Sequence, residues 1–129
     1  MTIHKHSKER KMNKKVLIVE DDPPFITLIQ LALRDMNFYF DVAREGNTAL
    51  DRLSKSEYDL VICDYRIPEI HGLEVLKTAK KQNPDCQTVL ISAAGEDMMN
   101  TKLEDLNLLG FMQKPFSPIE FRAMVERVF

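Results

Sequence analysis

Val16-Leu17-Ile18-Val19-Glu20-Asp21-Asp22-Pro23-Pro24 runs four apolar residues straight into three acids and two prolines. Unbroken apolar residues do not alternate, so this strand is predicted to be covered on both faces, as in a parallel sheet. The acids end it. Asp22 is expected to cap the helix that follows, and the two prolines suit a first helical turn, where a missing N–H costs little. Phe25, Leu28, Ile29, Ala32, Leu33 and Met36 then recur at helical spacing.

The same alternation continues outward from this stretch. Phe38 to Ala43 reads as a second strand, and Gly46 opens a short helix with Ala49, Leu50 and Leu53 inward. Asp59 to Cys63 is a third strand ended by Asp64. Gly72 precedes a helix with Leu73, Leu76 and Ala79 inward, stopped by Asn83-Pro84. Thr88 to Ile91 is a fourth strand ended by Ser92, and Met98, Met99, Leu103 and Leu106 mark a fourth helix. Gly110 to Gln113 is a short fifth strand ended by Lys114-Pro115. Ser117-Pro118-Ile119-Glu120 is a capping box that starts a last, rather short helix. Such alternation predicts an α/β fold, a five-stranded parallel sheet with helices on both faces.

The chain of 129 residues suits one domain, with 44% hydrophobic and 29% charged residues. No apolar run approaches the roughly 18 residues of a membrane span. Two cysteines and three histidines lie too far apart for a zinc site or a disulfide framework. Cys63 and Cys86 are expected to be free thiols in a reducing cytoplasm. Residues 1–15 carry six Lys/Arg and one acid, leaving 12 basic and 19 acidic residues in 16–129. Residues 1–14 therefore read as a basic, disordered tail and 15–129 as the folded domain. No apolar stretch follows the tail's charges, so it is not a signal peptide. A net charge of −2 argues against direct nucleic-acid binding. Met36 and Met124 fit core helix faces; Met98, Met99 and Met112 are open between core and partner surface.

In an open parallel sheet, ligands bind beyond the carboxyl ends of the strands. Glu20-Asp21-Asp22, Asp64, Ser92 and Lys114 follow strands one, three, four and five. Each alone is ordinary: an acid after a strand is usually a cap, and a lysine is usually solvated. Together they bring carboxylates, a hydroxyl and an ammonium to one sheet edge. Clustered carboxylates repel unless a cation joins them, and hard oxygen ligands select Mg²⁺, with Mn²⁺ a substitute. A lysine beside them can pair with Asp64 and then with a phosphoryl oxygen. Such a site suits phosphoryl transfer with an aspartate as nucleophile.

Four fragments, in order, carry a resemblance: Val16 to Asp22, Asp64-Tyr-Arg-Ile-Pro68 followed by Gly72, Ile91-Ser-Ala-Ala94, and Gly110-Phe-Met-Gln-Lys-Pro-Phe116. Over residues 15–129 the chain resembles the receiver domain of two-component response regulators, similar to chemotaxis receivers. The resemblance implies the flavodoxin-like strand order 2-1-3-4-5. It implies Asp64 as phospho-acceptor, and Mg²⁺ held by Asp21, by Asp64, by Glu20 through water and by the Arg66 backbone carbonyl. It implies Lys114 as phosphoryl-binding lysine, Ser92 and Phe111 as the switch pair, and a cis peptide between Lys114 and Pro115. The donor would be a sensor histidine kinase or a histidine phosphotransfer protein. A changed surface of helix four, strand five and helix five would then meet an effector, a missing output domain, or a second copy in a phosphorylation-dependent dimer.

Departures from the family pattern bear on the chemistry. Arg66 stands where the family often has Asn or a small polar residue; its side chain can cover the phosphoryl group or reach Glu20. With the small Ala94 this predicts slow self-dephosphorylation. His71 replaces a frequent Asp before Gly72 and reads as a solvated loop residue. Phe111 has no hydroxyl, so it can change pockets but not hydrogen-bond outside. Competing readings fit less well. Toprim-like enzymes need Asp-x-Asp where this chain has Asp64-Tyr65-Arg66. Haloacid-dehalogenase-type Mg²⁺ phosphatases need Asp-x-Asp directly after strand one. A phosphorylation-independent pseudo-receiver would not need Asp21, Asp64, Ser92 and Lys114 together. Both a stand-alone receiver and a piece of a longer regulator remain open, and the short last helix leans towards the second.

Overall fold

The computed structural model describes residues 14–93 and 102–129. Strands β1 (Lys14–Val19), β2 (Phe38–Ala43), β3 (Leu60–Asp64), β4 (Gln87–Ser92) and β5 (Gly110–Gln113) form one sheet in the order β2-β1-β3-β4-β5. All neighbours are parallel. Helices α1 (Pro23–Ala32), α2 (Gly46–Lys55), α3 (Gly72–Gln82) and α4 (Pro118–Glu126) connect or follow them. The flavodoxin-like receiver fold expected from the sequence is the fold observed. Among the described residues, no helix is long and apolar enough to cross a membrane.

The unbroken apolar strands follow from burial on two sides. Val16 and Ile18 face one way, with Ile29 and Leu33 of the α1 region and Phe121 and Val125 of α4. Leu17 and Val19 face the other way, with Ala49 and Leu53 of α2 and Val75, Leu76 and Ala79 of α3. Phe121 is fully buried, a contribution of about 1.5–3 kcal/mol from that side chain alone. Edge strand β2 is covered less: Tyr39 stands 57% exposed between half-buried Phe38 and Phe40. Met36, Met112 and Met124 fill partly buried positions on the α1/α4 face.

Several element ends differ from the sequence reading. Lys14, counted with the tail by its charge, opens β1 opposite Phe38. Asp22 occupies the N-cap position of α1, but its side chain makes no capping bond. Pro23 and Pro24 have no N–H to cap, and the next two N–H groups, of Phe25 and Ile26, donate to the Asp22 carbonyl instead. Asp64 lies inside β3, opposite Ile91, rather than after it. The expected fourth helix falls partly outside the described residues, Met98 and Met99 with it. Its remainder, Leu103–Leu106, is a 3₁₀ helix ending at Asn107 in the left-handed region (φ 53°). Spacing of three sets Leu103 and Leu106 on one side of such a turn, and Leu103 packs against the α2/α3 core.

Candidate functional site

Register brings the expected residues to one edge. Val19 lies beside Cys63, Asp64 beside Ile91, and Ser92 beside Gln113, so the chain ends of β1, β3, β4 and β5 finish together. Glu20 continues β1, its N–H donating to the Ala43 carbonyl at 3.0 Å. Lys114 continues β5, its N–H donating to the Ser92 carbonyl at 2.8 Å. The Lys114–Pro115 peptide bond is cis.

The Lys114 ammonium joins two buried acids. Its Nζ donates to Asp64 Oδ2 at 2.8 Å and lies 3.0 Å from Glu20 Oε1. Glu20 is 1% exposed and Asp64 6%, so these pairs are screened far less than surface ion pairs. Backbone donors complete the arrangement: Asp22 N–H to Glu20 Oε2 at 3.1 Å and Arg66 N–H to Asp64 Oδ1 at 3.2 Å. Burial pushes the Glu20 carboxyl up to about 7, against the hydrogen bond from Lys114 and helped by the charge of Asp64. Burial acts to lower the Lys114 ammonium, but its bonds to Asp64 and Glu20 outweigh that and raise it.

Glu20, Asp21 and Asp64 each offer a carboxylate oxygen within 4.8 Å of the others, and Asp21 is exposed. An all-oxygen donor set with one open side suits a hard divalent cation that keeps several waters. Ser92 Oγ is buried and has no hydrogen-bond partner among the described residues. An unpaired buried hydroxyl costs free energy unless a ligand atom reaches it. The site thus has room in its hydrogen bonding for one more oxygen-rich group.

Not all expected residues meet there. Phe111 is set back, partly buried against the α2/α3 core with Leu103 and Leu108. The Arg66 guanidinium lies 5.9 Å from the Tyr65 ring centroid. Ala94 lies outside the described residues. Two residues gain roles the sequence did not suggest. His71 is the N-cap of α3, its Nδ1 accepting the Leu73 N–H at 3.3 Å, with its ring edge-on to Tyr65 at 4.3 Å. Histidine is outside the usual capping set, so only its place before Gly72 could have signalled this. Phe25 was grouped with the helix's apolar face; its ring centroid lies 4.3 Å from Lys114 Nζ.

A 2-1-3-4-5 sheet with acids after β1 and in β3 and a lysine after β5 is the arrangement of a receiver-type domain. The chain belongs to the response regulator receiver domain family, whose model matches residues 16–126. It is 32% identical over 116 residues to sporulation initiation phosphotransferase F of Bacillus subtilis, covering 90% of this chain and 94% of that protein. It is 31% identical over 117 residues to the alkaline phosphatase synthesis transcriptional regulatory protein PhoP of the same organism, covering 91% of this chain. There it spans about half the relative's length, 49%. Among solved structures, a CheY-like receiver domain protein from Methanospirillum hungatei superposes with a TM-score of 0.78 at 19% identity, covering 88% of this chain and 91% of that one.

Proposed function

We propose that this receiver takes a phosphoryl group onto Asp64 from a phosphohistidine, on a sensor histidine kinase or a histidine phosphotransfer protein. The observation that carries the reading is the Lys114 ammonium, hydrogen-bonded to Asp64 and ion-paired with Glu20, beside the three-acid cluster. An Asp64 carboxylate oxygen attacks phosphorus, the P–N bond to the donor imidazole breaks, and its electron pair leaves with the imidazole. The product is an acyl phosphate. Lys114 follows the new charge from carboxylate to phosphoryl oxygen. Glu20, Asp21, Asp64 and the Arg66 carbonyl would hold Mg²⁺, or Mn²⁺ in its place. When bound, the ion neutralises charge on the phosphoryl oxygens. The test is incubation with Mg²⁺ and a small phosphodonor. Mass spectrometry should find one added phosphoryl group per chain, removed by hydroxylamine as an acyl phosphate is. A chain that stays unlabelled overturns the reading.

Phosphorylation adds about −1.5 to −2 charge and new acceptor oxygens. Ser92 Oγ is buried and has no partner among the described residues, so it can satisfy one of them by a short inward movement. The space so vacated favours deeper burial of half-buried Phe111, which reshapes the surface of the 3₁₀ turn, β5 and α4. Ser92→Ala should accept phosphate yet lose this coupling. NMR shifts around Phe111, with and without a beryllofluoride mimic, check it; identical responses in both proteins exclude Ser92 as the link. The reshaped surface would serve an effector protein, an attached output domain or a second copy of the chain.

The reading includes slow self-dephosphorylation, because hydrolysis needs an in-line water and Arg66 stands two residues from Asp64. Arg66→Asn should shorten the acyl-phosphate lifetime about threefold or more, a modest part of what one charge-assisted hydrogen bond is worth. A decay equal to or slower than wild type refutes the shielding. The buried free thiols Cys63 and Cys86 fit a reducing compartment, and the reading places the domain in the cytoplasm.

A further inference from the structure

We infer that Phe25 is a positioning residue for this transfer: the face of its ring holds the Lys114 ammonium where the phosphoryl group arrives. The inference rests on the reading of Asp64 as acceptor. It starts from the 4.3 Å between Lys114 Nζ and the Phe25 ring centroid, well inside the range of a cation–π contact. The Lys114 side chain is only 15% exposed, so water weakens that attraction little.

Lysine needs such help because its charge sits on a flexible four-carbon stem. At rest Nζ is held by Asp64 and Glu20. Phosphorylation of an Asp64 oxygen alters one of those anchors at the moment the ammonium must be in place. A third carboxylate could hold it, but would claim an N–H that the phosphoryl oxygen requires. A ring face attracts the charge without serving as a strong hydrogen-bond acceptor. It is also unaltered by the reaction, so its share in holding the ammonium grows as the Asp64 anchor is lost.

The ring is itself fixed. The Phe25 N–H donates to the Asp22 carbonyl at 3.0 Å in the proline-started first turn of α1. The ring lies 5.8 Å from Phe116, and Phe116 lies 5.5 Å from fully buried Phe121. Three aromatic rings thus run from the core to the ammonium. Phe116 sits two residues after Lys114, so the column also ties the lysine's loop to α1. The apolar spacing of α1 accounts for Ile29 and Leu33 as core, but Phe25 lies at the helix end nearest the acids, beside a charge.

Replacing Phe25 with mono-, di- and trifluorinated phenylalanine weakens the ring's negative face while nearly preserving its shape. The rate of labelling by a small phosphodonor at saturating Mg²⁺ should fall stepwise with each fluorine, about two- to thirtyfold in all. Melting temperatures should stay level across the series, because packing does not change. Phe25→Tyr should retain most of the rate, and Phe25→Leu should be as slow as the trifluorinated form. A wild type that takes up no phosphoryl group overturns the proposed function and this inference with it. A labelled wild type with rates flat across the fluorinated series overturns this inference alone. So does a rate that merely tracks melting temperature.

Discussion

Asp64→Asn is expected to gain no phosphoryl group under conditions that label the wild-type chain fully. An amide has no anionic oxygen to attack phosphorus, and no other carboxylate in the cluster has Asp64's surroundings. Asp64 is held by Lys114 on one oxygen and by the Arg66 N–H on the other, at 2.8 and 3.2 Å. Glu20 shares the lysine but is buried deeper and holds its proton up to about pH 7. Asp21 is exposed, and no bond to Lys114 fixes it. The variant should still fold. Removing one partner of a buried ion pair usually costs about 3–5 kcal/mol, because a charge is left uncompensated. Here Lys114 keeps Glu20 at 3.0 Å, so a neutral pair remains. Loss of the Asp64 charge also removes a repulsion from Glu20, whose carboxyl should titrate lower. Intact circular dichroism with no label places the acceptor at Asp64; equal labelling of the variant places it elsewhere.

The sheet was legible because burial on both faces forces apolar residues into consecutive positions. Val16 to Val19 and Leu60 to Cys63 are fully or almost fully buried, and nothing in either run competes with that reading. Helix ends were less legible, since they depend on which donors lack partners. Asp22 looked like a side-chain cap, yet the prolines beyond it remove the first two helical N–H groups and the next, of Phe25, donates to the Asp22 carbonyl. His71 looked solvated and is exposed, but that its ring nitrogen also closes the start of α3 was not legible. The fourth helix was inferred from apolar spacing, which does not distinguish four 3₁₀ residues from part of an α-helix.

The site was legible as a set of polar residues at strand ends, because topology alone brings those ends together. Who bonds whom was not. That Lys114 spans Asp64 and Glu20, rather than pairing with one, depends on the pleat that turns both carboxylates inward. Phe25 escaped notice for a related reason. Hydrophobic spacing assigns an aromatic ring to the core, and only coordinates reveal that its face meets a charge. Gly72 shows the converse case, a residue whose meaning lies in what it lacks.

Gly72→Ala is expected to destabilise the protein by about 3 kcal/mol, the upper end of overpacking costs. That should lower the melting temperature by roughly 10–20 °C for a domain of this size. A Cβ at this position would lie 2.1 Å from the Asp64 carbonyl oxygen and 3.0 Å from the Asp64 carbonyl carbon and Tyr65 Cα. All three are backbone atoms, so no rotamer change relieves the contact. The start of α3 must move away from the end of β3. Yet the two are tied: the Gly72 N–H donates to the Tyr65 carbonyl at 3.0 Å, and the Cys63 thiol donates to the Gly72 carbonyl at 3.7 Å. Alanine's better helix propensity, worth at most about 1 kcal/mol, opposes the loss without cancelling it. The same displacement reaches the chemistry, because the strained carbonyl belongs to Asp64 and the next residues supply the Arg66 N–H. A shift of about 1 Å at a reacting group can cost on the order of a hundredfold in rate. Labelling should therefore slow by at least about tenfold even at temperatures where the variant is fully folded. Thermal melts paired with labelling rates below the transition separate the two effects. An unchanged melting temperature would mean that α3 can slide along β3, and that the close approach does not hold Asp64 in place.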